Sequence, residues 1–545
     1  FKQCGRSIKK FLEKKCMKKN IKKYLAIVLA VLFLGEQLAG CVQSEQTEQE
    51  TKLESRTVDE IELEPYEAEE LPPAGERKTC RAEQYEMEIT LDTVKQQIRG
   101  NSTMTITNQT EDTLGQICVR NYAASILKEK GTGTSTISNA RIAGTDQMLV
   151  TETKEDSSVI YLQLGERELK PKDTITISLD FVTDIPEQKE KFGYWEEGEN
   201  RVYQLSFCFP VTAMYENGKW NENPYVFSGE SNYHSPAVFR CTFTAPEEYT
   251  VAATGEEKTS GKVTEIYAES IRELAVVASD RMKKECVDAE GVEVNHYYLD
   301  YKGNTEYNKL SLMAARDSVL LFSRFIGEYP YKELDIVQTA LSNGMEFPGL
   351  VMAAMPDVEN IQKLDQSASY TSACSMIAHE TAHQWFYGGV GNDPYEEAWL
   401  DEGFAEYCED VLYQQSRLAS AVEAVKRDQE RLGSSEIWGT MSDEEFHRDM
   451  ESQIEQIVGE RFIINRTYEQ YQQEVDTYSE YVYTGGSCFL YELQNAMGDG
   501  KFFSMLQQYY RNWCMKEART EDFLQAVRAY DNSEEVNQII TKYIA

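Results

Sequence analysis

The stretch Ala378–Tyr407, AHETAHQWFYGGVGNDPYEEAWLDEGFAEY, decides how the rest of the chain is interpreted. It begins with the pattern His-Glu-x-x-His at His379, Glu380 and His383, and Glu402 follows the second histidine by 19 positions (402 − 383). Two histidines four positions apart on a helix share one face, which is the spacing that a single zinc ion requires. A carboxylate from a second helix completes a His, His, Glu set and leaves the fourth tetrahedral position to water.

These residue types predict a hydrolytic mechanism. We expect His379, His383 and Glu402 to hold one Zn²⁺, which lowers the pKa of a water molecule toward neutrality. Glu380 points about 100° round the helix from His379, where its carboxylate can take a proton from that water and pass it to the leaving amine. The alternative is a helix whose histidines only cap or pack, and the matching Glu402 argues against it.

Three further acids lie close to Glu402 in the sequence. Asp401 adjoins it, and Glu406 and Glu409 follow it by four and seven positions, which is the spacing of one helix face. We interpret these acids either as partners that orient the imidazoles or as an exposed acidic face. The spacing alone leaves both interpretations open.

The N-terminal residues resemble an export signal. Residues 1–23 carry ten Lys or Arg and one acid, and Tyr24–Gly35 is an apolar run that is too short for a stable membrane span. The run ends in Leu38-Ala39-Gly40-Cys41, which is similar to a bacterial lipoprotein signal, where the cysteine is lipidated and becomes the mature N-terminus. An uncleaved anchor helix is the alternative.

We therefore expect residues 1–40 to be a lipoprotein signal peptide whose true start is Met17, and residues 41–80 to be an acidic flexible tether. The protein is then anchored by lipid at Cys41 on the extracytoplasmic side of a cell membrane. Removal of residues 1–40, which carry a net charge of +8, leaves the mature chain near −45 (−37 − 8). Such a charge argues against nucleic acid and anionic lipid headgroups as partners.

Two patterns follow along the chain. Apolar Tyr85, Met87, Ile89 and Leu91 alternate with polar residues, which predicts a half-buried strand, and similar alternation recurs through residues 81–285. This part of the chain is predicted to be an all-β domain of sandwich type. Residues 286–545 are then mainly helical in their apolar spacing and contain the His-Glu-x-x-His helix. The fold class is thus α+β with two domains.

Nine cysteines lie beyond the leader and Cys41, and their spacing is irregular. An odd count without a regular framework indicates unpaired thiols, many of them in apolar surroundings. For an exported protein this favours a reducing or anaerobic environment, which we state as a hypothesis.

The stretch resembles the aminopeptidase N-like gluzincin zinc metallopeptidases, which have eighteen residues between H-E-x-x-H and the glutamate. The resemblance extends to the segments His383–Phe386 (HQWF), Trp399–Ala405 (WLDEGFA) and Ile326–Tyr331 (IGEYPY), and it covers most of residues 81–530. It implies a saddle-like β-domain followed by a thermolysin-like, mainly helical catalytic domain.

The same resemblance implies a substrate-binding loop. Gly344-Met345-Glu346 is similar to the family's G-x-M-E-N loop, in which the glutamate binds the free α-amino group of the substrate. A buried ammonium requires such an anionic partner. Phe347 stands where the family has asparagine, and Phe207 lies in place of a β-domain glutamine that helps to hold the amine. The alternative for Glu346 is a solvated loop acid.

Tyr483 is similar to the tyrosine of the family's Y-x-K-G motif, whose hydroxyl stabilises the oxyanion. In this chain the motif is Tyr483-Thr484-Gly485-Gly486, so Gly485 replaces the lysine. The alternative for Tyr483 is a residue of the core.

Three functions are consistent with these observations. The first is a membrane-anchored zinc aminopeptidase that acts on peptides. The second, favoured by Phe347, is a zinc endopeptidase or another peptide hydrolase with altered N-terminus recognition. The third is a non-catalytic lipoprotein that binds peptides, and Glu380 argues against it because a binding protein has no need of a general base.

Overall fold

The alternating stretch that begins at Cys80 forms a central strand of the N-terminal domain in the computed structural model. This strand, β1, spans Cys80–Asp92 and buries Tyr85, Met87, Ile89 and Leu91 on one face. The structure describes residues 55–66, 73, 75, 77–197, 200–227, 229–300, 304–354, 370–433, 442–457, 462–472 and 477–544.

The N-terminal domain is built almost entirely from strands. After β1 these are β2 Gln97–Asn108, β3 Gln116–Arg120, β4 Ser135–Ile142, β5 Val150–Thr153, β6 Val159–Gln163, β7 Thr174–Asp184, β8 Phe192–Glu197, β9 Asn200–Leu205, β10 Val211–Thr212, β11 Tyr215–Glu216, β12 Lys219–Trp220, β13 Ala237–Thr244, β14 Thr250–Ala253, β15 Glu256–Ser260, β16 Val263–Ile271 and β17 Val276–Ser279. One helix, α1 (Tyr122–Lys130), interrupts the series.

These strands form three sheets. The largest has the order β15-β16-β13-β1-β2-β7-β4, with β11 and β12 added beside β1. Its pairings are antiparallel except that β1 and β13 run parallel, with Tyr85 opposite Phe239. Two four-stranded sheets, β10-β3-β6-β5 and β14-β17-β9-β8, complete the domain, whose sheets share one continuous apolar core.

A mixed five-stranded sheet begins the second domain. Its order is β18-β19-β20-β22-β21, where the strands are β18 Met282–Ala289, β19 Val292–Leu299, β20 Glu333–Thr339, β21 Met345–Phe347 and β22 Leu350–Ala354. Strand β21, which carries Glu346, is the edge strand and pairs antiparallel with β22. The substrate-binding loop predicted from the sequence therefore lies at the edge of this sheet.

Helices make up most of the rest. They are α2 Thr305–Phe325, α3 Tyr370–Ala382, α4 Pro394–Glu397, α5 Glu402–Tyr407, α6 Ala419–Leu432, α7 Asp443–Ile457, α8 Tyr468–Gln472, α9 Gly485–Met497, α10 Asp499–Trp513, α11 Thr520–Tyr530 and α12 Glu534–Tyr543. Short 3₁₀ helices span Val58–Glu60 and Ala398–Leu400, π-helices span Cys408–Gln414 and Glu480–Thr484, and a two-stranded parallel sheet pairs β23 Val390–Gly391 with β24 Lys516–Glu517.

The helix of the His-Glu-x-x-His motif ends one residue before its second histidine. Helix α3 stops at Ala382, yet the N–H of His383 still donates to the carbonyl oxygen of His379 at 3.4 Å. The helical geometry therefore extends far enough to keep both imidazoles on one side, although the regular helix is shorter than the sequence predicts.

A buried arginine connects the two domains. Arg272 follows β16 and is 3 % exposed. Its guanidinium donates to the carbonyl oxygen of Tyr387 at 2.8 Å, to the carboxylate of Glu517 at 2.9 Å and to the carbonyl oxygen of Lys516 at 2.9 Å. Because Tyr387 lies in the turn after α3, this contact ties the segment of the His-Glu-x-x-His motif to the β-domain.

Several sequence predictions lie outside the described residues. The signal peptide, Cys41 and most of the predicted tether belong to this group, so their roles stay predictions. Within the described parts of the chain, none of the helices has the length and apolar content needed to cross a membrane. The nine later cysteines are all described and all free, and seven of them are buried.

Candidate active site

The side chains of His379, His383 and Glu402 converge as the sequence predicts. The Nε2 atoms of His379 and His383 each lie 3.3 Å from Oε2 of Glu402, and the three ligand atoms are all within 4.8 Å of one another. All three side chains are buried. Residues 19 positions apart in sequence thus meet because α5 packs against α3.

Local structure holds Glu402 in place. Asp401 is the N-cap of α5, and its carboxylate accepts the N–H of Glu402 at 2.6 Å. The amide of Asn392 donates to the other oxygen of Asp401 at 3.0 Å. Asp401 therefore fixes the backbone of Glu402 and makes no hydrogen bond to an imidazole among the described residues.

The outer nitrogens of the two histidines have their own partners. His383 Nδ1 lies 3.2 Å from the carbonyl oxygen of Phe386, so this nitrogen carries the hydrogen and Nε2 is left as the ligand atom. His379 Nδ1 lies 3.4 Å from a carboxylate oxygen of Glu406 and 3.4 Å from one of Glu409. Both of these acids therefore contact the ligand imidazole, although one hydrogen can serve only one of them.

Neighbouring carboxylates and burial have opposite effects on the two imidazoles of this group. Burial opposes charge on His379, yet the carboxylates of Glu402, Glu406 and Glu409 raise its pKa well above the ordinary value. Burial likewise opposes charge on His383, while Glu346 and Glu402 raise its pKa to about 9. Burial opposes ionisation of Glu402, and hydrogen bonds from the two imidazoles lower its pKa. The carboxylate of Glu402 therefore stays anionic between the two imidazole rings.

This donor set fits a zinc ion. Two imidazole nitrogens and one carboxylate oxygen are the ligands of a catalytic zinc site with an open fourth position. The atoms are buried and converge, and both outer imidazole nitrogens are held by oxygen acceptors, as ligand histidines require. The structure brings together all three predicted metal ligands.

Glu380 lies beside the ligands with one oxygen free. It is 7 % exposed, and its Oε2 atom is buried without a hydrogen-bond partner among the described residues. Burial raises its pKa to about 7, against the effect of the two histidines, which lower it. A carboxylate with this pKa is suited to accept a proton near neutral pH.

Gly344 is packed against Glu380. A Cβ atom on Gly344 would lie 2.2 Å from Oε1 of Glu380 and 2.3 Å from its Cδ atom. A side chain at position 344 would therefore require the carboxylate of Glu380 to move, so glycine keeps the space that this carboxylate occupies. This contact gives Gly344 a role that the sequence motif did not specify.

Tyr483 reaches the site from the π-helix Glu480–Thr484. Its hydroxyl donates to Oε1 of Glu402 at 2.5 Å, and its ring stacks on His379 with the centroids 5.9 Å apart. The hydroxyl lines the same cleft as the ligands. Tyr483 is therefore a residue of the site and not one of the distant core.

The predicted substrate-binding loop also lines this cleft. Gly344, Met345 and Glu346 all contribute to its wall, and Glu346 is only 6 % exposed. Carboxylate oxygens of Glu346 and Glu380 and a ring nitrogen of His383 lie within 4.8 Å of one another. Burial raises the pKa of Glu346. The interpretation of Glu346 as a solvated loop acid is therefore wrong.

Phe347 does not enter the cleft. Its ring is 0 % exposed and packs edge-on against Phe207, with the centroids 5.8 Å apart, and its carbonyl oxygen accepts from Gln384 Nε2 at 3.2 Å. The phenylalanine in place of the family's asparagine thus joins the core between the domains. Phe207 belongs to that same core and offers no polar group to a ligand.

Two functional candidates come from the β-domain and were missed in the sequence. Glu230 is 6 % exposed, forms an ion pair with Lys191 at 2.7 Å and lies close enough to Glu346 for their charges to interact. Burial, followed by the charge of Glu346, raises the pKa of Glu230 to about 8. Neither residue has a motif around it, because their positions depend on how the two domains pack.

These residues surround one cleft of about 950 Å³. Its wall combines Glu190, Lys191 and Glu230 of the first domain with the metal ligands and the 341–346 loop of the second. The cleft is large enough for several residues of a peptide. Acidic side chains dominate it, and Lys191 is the single Lys or Arg among the described residues of its wall.

Comparisons with known proteins agree with this site. Residues 315–543 match the family description "Peptidase family M1 domain". The chain is 25 % identical over 422 residues to Aminopeptidase M1-B of Oryza sativa subsp. japonica. The aligned region covers 72 % of this chain and 43 % of that protein. The chain is 28 % identical over 183 residues to Aminopeptidase M1-A of the same organism, covering 31 % of this chain and 20 % of that protein. The chain thus spans less than half of these relatives.

Among solved structures, an M1 zinc metallopeptidase from Deinococcus radiodurans has a similar fold. The TM-score is 0.57 at 17 % sequence identity, and the match covers 86 % of this chain and 94 % of the other. The α+β fold with a β-rich domain followed by a mainly helical domain, predicted from the sequence, is confirmed by this likeness.

Proposed function

Because residues 315–543 form a domain of peptidase family M1, we propose that this protein is a zinc-dependent aminopeptidase that releases N-terminal residues from peptides. The observation that carries the proposal is the position of Glu346. This buried carboxylate shares the cleft with the ligand set and lies within 4.8 Å of Glu380 and His383. An anionic group at a fixed, short distance from the reacting centre selects substrates with a free α-ammonium.

The chemistry is divided among the residues of the site. His379, His383 and Glu402 would hold one Zn²⁺, which supplies a Lewis acid for the scissile carbonyl and acidifies water. Glu380 takes a proton from the attacking water and delivers it to the nitrogen of the leaving amine as the C–N bond breaks. The Tyr483 hydroxyl, once released from Glu402, donates to the oxyanion.

The amine site has contributions from both domains. Lys191 forms its 2.7 Å ion pair with Glu230, which leaves the carboxylate of Glu346 without an ion pair to a Lys or Arg among the described residues. One negative charge then remains for the substrate's α-ammonium. This arrangement of charges supports recognition of a substrate's N-terminus without the glutamine and asparagine of the aminopeptidase N-like family.

The endopeptidase alternative rested on Phe347, whose side chain is buried in the core and leaves the cleft open. Binding without catalysis is disfavoured by Glu380, because a buried carboxylate beside the ligand set is placed to act as a general base, which a binding protein does not need. Aminopeptidase activity is therefore the function that the geometry supports best.

The test uses tripeptides with free and with acetylated N-termini. We expect hydrolysis of the free peptides only, and inhibition by a zinc chelator. E380Q should retain zinc but lose at least about 10²-fold in kcat because the general base is absent, whereas E346Q should chiefly raise KM. Equal rates on free and acetylated peptides would overturn aminopeptidase specificity, and full activity of E380Q would overturn the mechanism.

We also propose that the protein is exported and held on the extracytoplasmic side of a membrane by lipid at Cys41. The support is the basic, apolar and Leu38-Ala39-Gly40-Cys41 sequence of the leader. In cells making the C41A variant, the protein should no longer be cleaved at position 41 or acquire lipid, as judged by mass spectrometry of the N-terminus. A lipidated N-terminus in C41A, or a native N-terminus without lipid, would contradict this proposal.

A further inference from the structure

The part of the cleft beside His379 contains more negative charge than the proposed chemistry requires. Carboxylate oxygens of Glu406 and Glu409 both lie 3.4 Å from His379 Nδ1, which has one hydrogen to give. Asp410 adds a third carboxylate to the same stretch of wall. Among the described residues, none donates a hydrogen bond to Asp410 or forms an ion pair with it.

The amide oxygen of a neutral side chain at this place also lacks a hydrogen-bond partner among the described residues. Gln414 is 8 % exposed and lines the cleft beside the three acids. Its Nε2 atom donates to Glu409 at 3.4 Å, while its Oε1 atom is buried with no hydrogen-bond donor. A buried acceptor without a donor is costly, and a ligand that brings hydrogen-bond donors would satisfy it.

Apart from the imidazole of His379, the described residues of the cleft provide no cationic side chain for these groups. Lys191, the single Lys or Arg of the described wall, is bound to Glu230 near Glu346. Burial, together with Glu409 and Glu406, raises the pKa of Asp410 well above its ordinary value. A positive charge bound among the three acids would relieve this repulsion.

The three acids and Glu346 line the same cleft. A carboxylate oxygen of Glu346 lies within 4.8 Å of a ring nitrogen of His383, whereas those of Glu406 and Glu409 lie within the same distance of a ring nitrogen of His379. The two histidines are one helical turn apart. A peptide whose α-ammonium contacts Glu346 therefore has this region within reach of one of its side chains.

We propose that Glu406, Glu409, Asp410 and Gln414 form a pocket that binds a basic side chain, lysine or arginine, of the peptide substrate. The pocket offers carboxylates and an amide oxygen to the several N–H donors of an ammonium or guanidinium group. The inference rests on the proposed function, because it concerns the substrates of the same cleft.

The experiment compares lysine with norleucine, which has the same carbon chain without the ammonium. Binding of Ala-Lys-Ala, Ala-Nle-Ala, Lys-Ala-Ala and Nle-Ala-Ala to zinc-loaded E380Q is measured by calorimetry, so that turnover does not interfere. We expect the lysine peptide of one pair to bind about ten-fold more tightly, and the pair that differs identifies which substrate residue occupies the pocket.

Two variants in the E380Q background locate the effect. D410N removes one charge of the pocket without touching a ligand imidazole, and it should reduce the preference for lysine to about two- or three-fold. E190Q removes one charge from a different part of the cleft wall and should leave the preference unchanged. Zinc content is measured for both proteins.

Equal binding of lysine and norleucine peptides in both pairs would overturn the pocket while leaving aminopeptidase activity intact. An equal loss of preference in D410N and E190Q would also overturn it, because the general potential of the cleft would then be responsible. If no peptide with a free N-terminus binds, the proposed function fails and the pocket with it.

Discussion

At the residue scale, the proposed chemistry depends on a few buried polar atoms and on the residues to which they hydrogen-bond. Tyr483 is the clearest case, because its hydroxyl donates to Glu402 and its ring stacks on His379. The hydroxyl therefore has a structural partner in Glu402. In the proposed mechanism it exchanges that partner for the oxyanion.

Removing this hydroxyl tests the exchange. We expect Y483F to lower kcat by about 10²–10³-fold, because one oxyanion donor is lost. KM and zinc content should change little, since the ligand atoms remain. Steady-state kinetics and metal analysis provide the measurement.

The matched control is Y481F. Tyr481 belongs to the same π-helix, but its ring packs on Phe462. Its hydroxyl should therefore be dispensable for turnover. Unchanged kcat in Y483F would assign Tyr483 a packing role only.

At the scale of elements, the site depends on irregular helices and on close helix contacts. The two π-helices among the described residues of the second domain lie at the cleft: Cys408–Gln414 contributes Glu409, and Glu480–Thr484 contributes Tyr483. Such widened turns are common at functional sites because they redirect side chains that a regular helix would point elsewhere. They explain why spacing alone did not decide the role of Glu409.

Helices α5 and α9 touch through two glycines. A Cβ atom on Gly403 would lie 2.8 Å from the Cα atom of Gly486. Gly403 directly follows the ligand Glu402, and Gly486 lies three positions after Tyr483. A side chain at this crossing would therefore separate the two helices that position a ligand and the oxyanion donor.

G403A should weaken zinc binding by about 10–100-fold, because displacement of α5 moves Glu402 away from the imidazoles. The free energy of unfolding should also fall by about 1–3 kcal/mol from overpacking. Titration with a competing chelator and denaturant unfolding measure the two effects. G115A is the control, since a Cβ atom on Gly115 would meet nothing within 4 Å; equal zinc affinity in both variants would contradict the argument.

At the scale of the whole molecule, the two domains share buried charges as well as apolar surface. Glu257 of β15 hydrogen-bonds Tyr297 at 2.6 Å and lies beside Glu333 and Asp335 of β20. One carboxylate oxygen of each of these three acids is buried without a partner among the described residues. Lys284 is the cation that faces them.

This cluster predicts a pH dependence of stability. Burial, followed by the charge of Glu257, raises the pKa of Glu333 to about 8 from an ordinary value of 4.5. The folded state then binds more protons than the unfolded state between these pKa values, so stability falls as the pH rises from about 5 to 8. The melting temperature should decrease over this range.

E333Q should flatten this decrease, because glutamine has no proton to lose. E265Q, which changes an exposed acid on the adjoining strand β16, should retain the wild-type slope. Thermal unfolding at several pH values compares the three proteins. Identical slopes in E333Q and the wild type would show that Glu333 does not carry the effect.

The alternation around Tyr85 and the apolar spacing of α2 were sufficient to predict a β-domain followed by a helical domain, because both periods are local properties of the chain. The ends of elements were harder to predict. Helix α3 ends before His383, where the chain turns toward the Arg272 contact from the other domain.

The sequence by itself predicted the candidate metal ligands, because the His-Glu-x-x-His spacing follows helical geometry and the glutamate lies within thirty residues of that motif. Only the tertiary structure decided the surroundings of that centre. Glu230 and Lys191 meet Glu346 across more than 100 positions of chain, Phe347 turns into the core, and Glu409 reaches His379 from a π-helix. Contacts between distant segments depend on the packing of whole domains, and no local period encodes them.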